Sequence, residues 1–144
     1  MQTKEKAGLV FIRLFPDEDI YHALNEACQK HAVETAVVLC GVGQLKQFEL
    51  GYFKKKGDYR PQQFEKPHEL LSLVGNISNQ EGKYNFHLHV VLGSEEKEVV
   101  GGHLFKGRVE TTNEIVLLKT DLKIKRKLEE SSGLQGMFLE GENI

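Results

Sequence analysis

Residues 85–105 read NFHLHVVLGSEEKEVVGGHLF. Two runs rich in β-branched and aromatic residues flank a short polar segment, the pattern of two strands joined by a tight turn. Placing the loop at Ser94–Glu98 sets Gly93 opposite Val99. Counting back four residues on each arm then puts His89 opposite His103. Strand side chains alternate faces, so His87 lies on the face of His89. The opposite face carries Phe86, Leu88, Val90 and Leu92, with Val100 and Leu104 across from them, and belongs to a core. A slip of one residue in the loop would send His103 to that core face, so the register decides the reading.

Working outward, the same alternation recurs along most of the chain. AGLVFIRLF (7–15) reads as a strand. The period then changes: Ile20, Ala23, Leu24, Ala27, Cys28 and His31 fall on one helical face. Pro16 and the acidic Asp17, Glu18 and Asp19 suit the N-terminus of that helix, and Lys30 its other end. TAVVLCG (35–41) is a short apolar strand, GVG (41–43) a turn, and LKQFELGYF (45–53) a half-buried strand. Residues 54–67, KKKGDYRPQQFEKP, read as a long exposed loop. HELLSLVGNIS (68–78) is a strand broken near Gly75, and NQEGK a turn before the histidine strand. Residues 114–129 carry one or two further strands, and the tail from 130 is Gly-rich with an isolated apolar cluster. Many strands, tight turns and one helix predict an α+β fold: a curved, mainly antiparallel sheet with one main helix packed on it.

The 144 residues fit a single domain with a core from about residue 8 to residue 137, and 40% of them are hydrophobic. The formal net charge of −2 gives no global attraction to nucleic acid or to an anionic membrane. Cys28 and Cys40 form no ligand motif and read as small core residues, which favours a reducing compartment. No stretch approaches the ~20 apolar residues of a spanning helix, so a soluble, cytoplasmic protein is expected.

Opposite strand residues have Cβ atoms ~5 Å apart, close enough for imidazoles to converge on one ion at ~2.0–2.1 Å from each nitrogen. His87, His89 and His103 are therefore the expected metal ligands, and three neutral imidazoles suit zinc best. The other reading is three hydrogen-bonded histidines lining a polar cleft. Gly101 and Gly102 either leave room for a ligand or mark a bulge. Arg13 is the odd charge of the first strand and calls for a carboxylate or an anion; Glu69, flanked by apolar residues, is its expected partner. If both edged the histidine cleft, Arg13 would clamp a substrate anion and Glu69 would act as general base or fourth ligand. Lys54, Lys55, Lys56 and Arg60 form one basic cluster, and Lys123, Lys125, Arg126 and Lys127 a second. Either serves as a solvated surface or as a set of phosphate contacts. His22, His31 and His68 read as surface or helix-edge residues.

The segments RLFPDEDI, CGVGQLKQFELGYF, HELLSLVGNIS, HLHVVLG and VVGGHLFKGRVETTNEIVL, in that order, resemble the plant and prokaryote conserved domain, PPC or PCC. The likeness runs from about residue 8 to residue 137. It implies a curved antiparallel α+β fold and a homotrimer. In plants the domain accompanies AT-hook peptides, and stand-alone prokaryotic members are regarded as candidate DNA-binding proteins. The fold is also similar to that of acetolactate decarboxylase, where a His-x-His pair and a later histidine hold zinc. His87, His89 and His103 match that arrangement. KGRVE (106–110) lacks the Arg-Gly-Arg core of an AT-hook, and residues 66–71 keep only part of the plant partner-binding segment. The resemblance therefore leads to a homotrimeric binding or regulatory module of the DNA-binding kind with a His-based metal site. Two alternatives stand beside it. One is a zinc enzyme acting on a small organic acid or ester, and the other is a trimer whose metal only stiffens the sheet.

Overall fold

The computed structural model describes residues 1–139. Nine strands and one helix follow in chain order: β1 (Gln2–Lys6), β2 (Leu9–Leu14), α1 (Ile20–Lys30), β3 (Thr35–Lys55), β4 (Asp58–Phe64), β5 (His68–Gln80), β6 (Lys83–Gly93), β7 (Val99–Thr120), β8 (Ile124–Leu128) and β9 (Gln135–Leu139). Seven strands form one antiparallel sheet in the order β1-β2-β7-β6-β5-β3-β4, and β8 and β9 form a separate hairpin. An additional β3–β7 pairing brings the sheet back on itself, so β7, β6, β5 and β3 enclose the core. None of the described helices is long and apolar enough to cross a membrane.

Two strands of 21 and 22 residues dominate this architecture. Straight strands of that length would reach ~70 Å, far beyond a domain of this size. Register shifts between Val38 and Cys40, Gly43 and Leu45, and at two points between Lys46 and Leu50 bend β3 against β7. The expected turn at 41–43 is one of these bends inside a continuous strand, not a chain reversal. The interruption expected near Gly75 is likewise a continuous strand whose backbone passes close to β6.

Alternate residues of the strands fill the core: Val10, Ile12 and Leu14 from β2, Leu73 and Ile77 from β5, Leu88, Val90 and Leu92 from β6. The helix packs Ile20, Ala23, Leu24, Ala27 and Cys28 onto them, the face its periodicity predicts. Asp19 caps it, Oδ1 accepting from the His22 amide at 2.9 Å. His31 ends the helix rather than extending its apolar face, with Nε2 2.8 Å from Thr3 Oγ1.

Three further expectations change. Residues 54–67 are mostly not a loop: β4 turns back on β3 and lies at the sheet edge, where Pro61 removes no needed donor. Residues 2–6 add an edge strand before the first expected one, joined to it through Ala7 and Gly8, both at positive φ. Cys40 is exposed on β3; only Cys28 is a core residue.

Candidate metal centre

The 93–99 loop closes as expected. Ser94 N donates to Glu98 O at 2.8 Å and Lys97 N to Ser94 O at 3.0 Å. The register that follows places His89 directly opposite His103 and Gly93 opposite Val99. Leu88, Val90 and Leu104 point into the core, and the three imidazoles stand together on the other face. Their ring centroids form a nearly equilateral triangle: 5.2 Å for His87–His89, 5.4 Å for His87–His103 and 5.3 Å for His89–His103. One nitrogen from each lies within 4.8 Å of the others.

Glycines carry this geometry. Gly75 has φ +155°, and a Cβ there would sit 1.9 Å from the His87 carbonyl oxygen. Only glycine lets β5 approach β6 that closely beside the first histidine. Gly51 pairs with His103, and the rings of Phe105 and Tyr59 occupy the space its side chain would take. Both rings thereby reach His103, with centroids 5.0 and 6.0 Å away. Gly101 and Gly102 serve the backbone: a Cβ on either would stand 2.9 Å from the Val90 or the Gly51 carbonyl oxygen.

The electrostatics favour the neutral form of His87 and His103. Burial, with the neighbouring imidazoles adding to it, pushes the His103 pKa down to about 4. Burial also lowers His87, helped by His89 and by the Arg126 guanidinium. Neutral imidazole is the form that offers a lone pair to a metal. The Nε2 atoms of His87 and His89 lie 3.3 Å apart. Two nitrogens at ~2.0–2.1 Å from a tetrahedral zinc would be separated by about 3.3–3.4 Å, so the pair fits that ion without moving.

Beside the triad lies a cavity of about 360 Å³ lined by His87, His103, Tyr59, Phe86, Phe105, Leu134 and Arg126, among others. Arg126 projects from β8. Its Nη2 donates to Asn76 Oδ1, and its Nε to Ser78 Oγ at 3.4 Å. Asn76 is the cross-strand neighbour of His87, which fixes the guanidinium next to the ring.

Arg13 and Glu69 are not brought to the imidazoles within this chain. Arg13 lies over the Phe15 ring at 5.1 Å and opposite Glu114, eleven residues along β7 from His103. Glu69 pairs with Gly93, four residues from His89, and its Oε1 accepts from Gln44 Nε2 at 3.1 Å. Their expected contact is replaced by these two local ones. His68 stands edge-on to Phe48 and Phe64, with centroids 5.0 and 5.8 Å away. In the sequence, Arg126 reads as part of a basic cluster, either solvated surface or phosphate contacts, and not as a neighbour of the histidines. The available signal was alternation: Ile124 is buried, and Arg126 shares its parity. Tyr59 was hidden inside the supposed loop.

The model of the Plants and Prokaryotes Conserved (PCC) domain matches residues 1–121. The structure is similar to a plant- and prokaryote-conserved protein of Pyrococcus horikoshii, 30% identical with a TM-score of 0.78 over 96% of each chain. It is similar to a metal-containing protein of Archaeoglobus fulgidus, 28% identical with a TM-score of 0.82 over 93% of this chain and 95% of the other. A candidate DNA-binding protein of Bacteroides thetaiotaomicron superposes with a TM-score of 0.90 over 96% of this chain and 97% of its own; at 24% identity this likeness concerns the fold. The bifunctional protein GlmU of Synechococcus sp. is 31% identical over 107 residues, and this chain spans 16% of the length of that curated relative.

Proposed function

The chain belongs to the PCC domain family, and from that premise we propose that it acts as a homotrimeric binding module built around a metal centre, with His87, His89 and His103 as ligands and zinc as the ion. The observation that carries this is the 3.3 Å Nε2–Nε2 separation of His87 and His89, the spacing of two ligands on a tetrahedral ion, within a nearly equilateral set of three imidazoles. The metal content of the Archaeoglobus relative supports it. When bound, a zinc ion would supply a Lewis-acid position for a fourth ligand. Three neutral nitrogens favour zinc over the hard cations magnesium and calcium. Purified without chelator, the protein should hold roughly one equivalent of zinc per chain by elemental analysis, and His89→Ala should lose it. A wild type that takes up no metal even when zinc is supplied sinks the proposal. The trimer is supported by an apolar outer face of the sheet, described at the molecular scale below.

A nucleic-acid role is the second reading, favoured by one observation. The β3–β4 turn and the β8–β9 hairpin meet, with Lys56 Nζ donating to the Glu130 carbonyl. Lys56 of the first lysine-rich segment thus reaches the turn that follows the second. Filter binding to duplex DNA across salt concentrations tests it, since phosphate contacts make log affinity fall linearly with log salt. No retention at low salt removes DNA from the function.

A further inference from the structure

A buried arginine is normally paired with a carboxylate. Arg126 is half-buried at the cavity wall, yet among the described residues its side chain has only neutral partners, Asn76 and Ser78. These two bonds orient the guanidinium without neutralising it. Around it Tyr59, Phe86, Phe105 and Leu134 give aromatic and aliphatic wall, while His87, His103, Asn85 and Gln135 add neutral polar groups. Among the described residues the cavity therefore offers one permanent positive charge, in a fork geometry, beside an apolar wall.

We propose that this chamber binds a small organic carboxylate with an apolar tail, its carboxylate held by Arg126 and its tail against Tyr59, Phe86 and Phe105. Carboxylate and guanidinium match as planar, bidentate partners. In the metal-stripped protein a phosphate dianion would meet one cation and neutral rings, leaving charge uncompensated in a partly desolvated site. A volume of about 360 Å³ lies at the small end of ligand pockets and accommodates a guest about the size of a substituted benzoate. The inference deepens the metal reading, since a donor next to the carboxylate would occupy the open coordination position; the arginine contact itself does not require the ion.

Calorimetric titration with benzoate, mandelate, mandelamide and inorganic phosphate tests this, on zinc-loaded and on metal-stripped protein. Benzoate should bind both forms, and mandelate should bind the loaded form more tightly. Mandelamide, lacking the charge, should bind at least about tenfold more weakly than mandelate. Arg126→Gln should weaken both carboxylates by about tenfold or more while leaving zinc stoichiometry unchanged. Arg126→Lys, which keeps the charge and loses the fork, should fall between; because it is the milder change, it covers the case in which Arg126→Gln disturbs the β8–β9 hairpin. Benzoate binding that depends on Arg126 in a protein holding no metal would sustain the arginine assignment and sink only the metal centre. Zinc retained with carboxylate affinity equal in wild type and both variants would sink the arginine assignment and leave the metal centre standing. Absence of carboxylate binding in the wild type, or preference of the metal-stripped protein for phosphate, also overturns the inference.

Discussion

At the scale of single residues, burial near the triad decides behaviour with pH. The pKa of His103 in the fold is about 4, below its ordinary 6.5. Between these values the unfolded chain binds a proton that the folded chain refuses. Stability of the metal-stripped protein should therefore be full above pH 6.5 and decline as pH falls toward 4. Thermal melts across that range should show the decline, and His103→Gln should flatten it. Equal slopes in the two proteins would assign the effect elsewhere. Gly75 makes a second residue-scale prediction. Its positive φ and the 1.9 Å approach of the His87 carbonyl leave no room for a methyl group. Gly75→Ala should cost about 1–3 kcal/mol and, by shifting β6, weaken zinc uptake as well. A variant as stable and as metal-competent as wild type would show that β5 gives way freely.

At the scale of elements, the helix touches the histidine hairpin through Tyr21, whose hydroxyl donates to the Leu104 carbonyl and whose ring meets Phe86 edge-on at 5.8 Å. Asp19 satisfies the first turn of α1 at the His22 amide, and neither residue is in contact with the imidazoles of the triad or lines their cavity. Asp19→Ala should lower stability by about 1 kcal/mol, read from the melting temperature, with zinc stoichiometry intact. Loss of metal in that variant would mean that the helix sets the register of the sheet. The hairpin was legible because its alternation and its loop agree, and Gly93–Val99 pairing leaves one register. The stretch 54–67 was not legible. Lysines, glycine and two prolines carry loop signals, yet Pro61 sits on an edge strand where the sheet asks nothing of its nitrogen. The long strands β3 and β7 were cut into pieces by the same logic: glycines that mark bends inside a bulged strand look like turns between two strands.

At the scale of the whole molecule, the outer face of the sheet is the feature left without a partner in one chain. Phe11 is 53% exposed, Val37 45% and Leu118 40%, on three adjacent strands, with Leu39 and Val42 further along β3. A contiguous apolar surface of this kind marks an association site. If it is the subunit contact of a trimer, Val37→Asp should give monomers by light scattering coupled to size exclusion, because the charge would be desolvated at the interface. A wild type already monomeric, or an unchanged trimer in the variant, would exclude this face.

Local pattern alone determined that this chain is an antiparallel sheet with one amphipathic helix, and that His87, His89 and His103 share a face, because side-chain period and a short loop are properties of neighbouring residues. Which cation stands beside those rings was decided by tertiary structure. Arg13 and Arg126 are both arginines at alternating strand positions, and only the return of the β8–β9 hairpin to β5 brings the second to Asn76, next to His87. That packing joins residues fifty positions apart, a distance over which no local periodicity carries information.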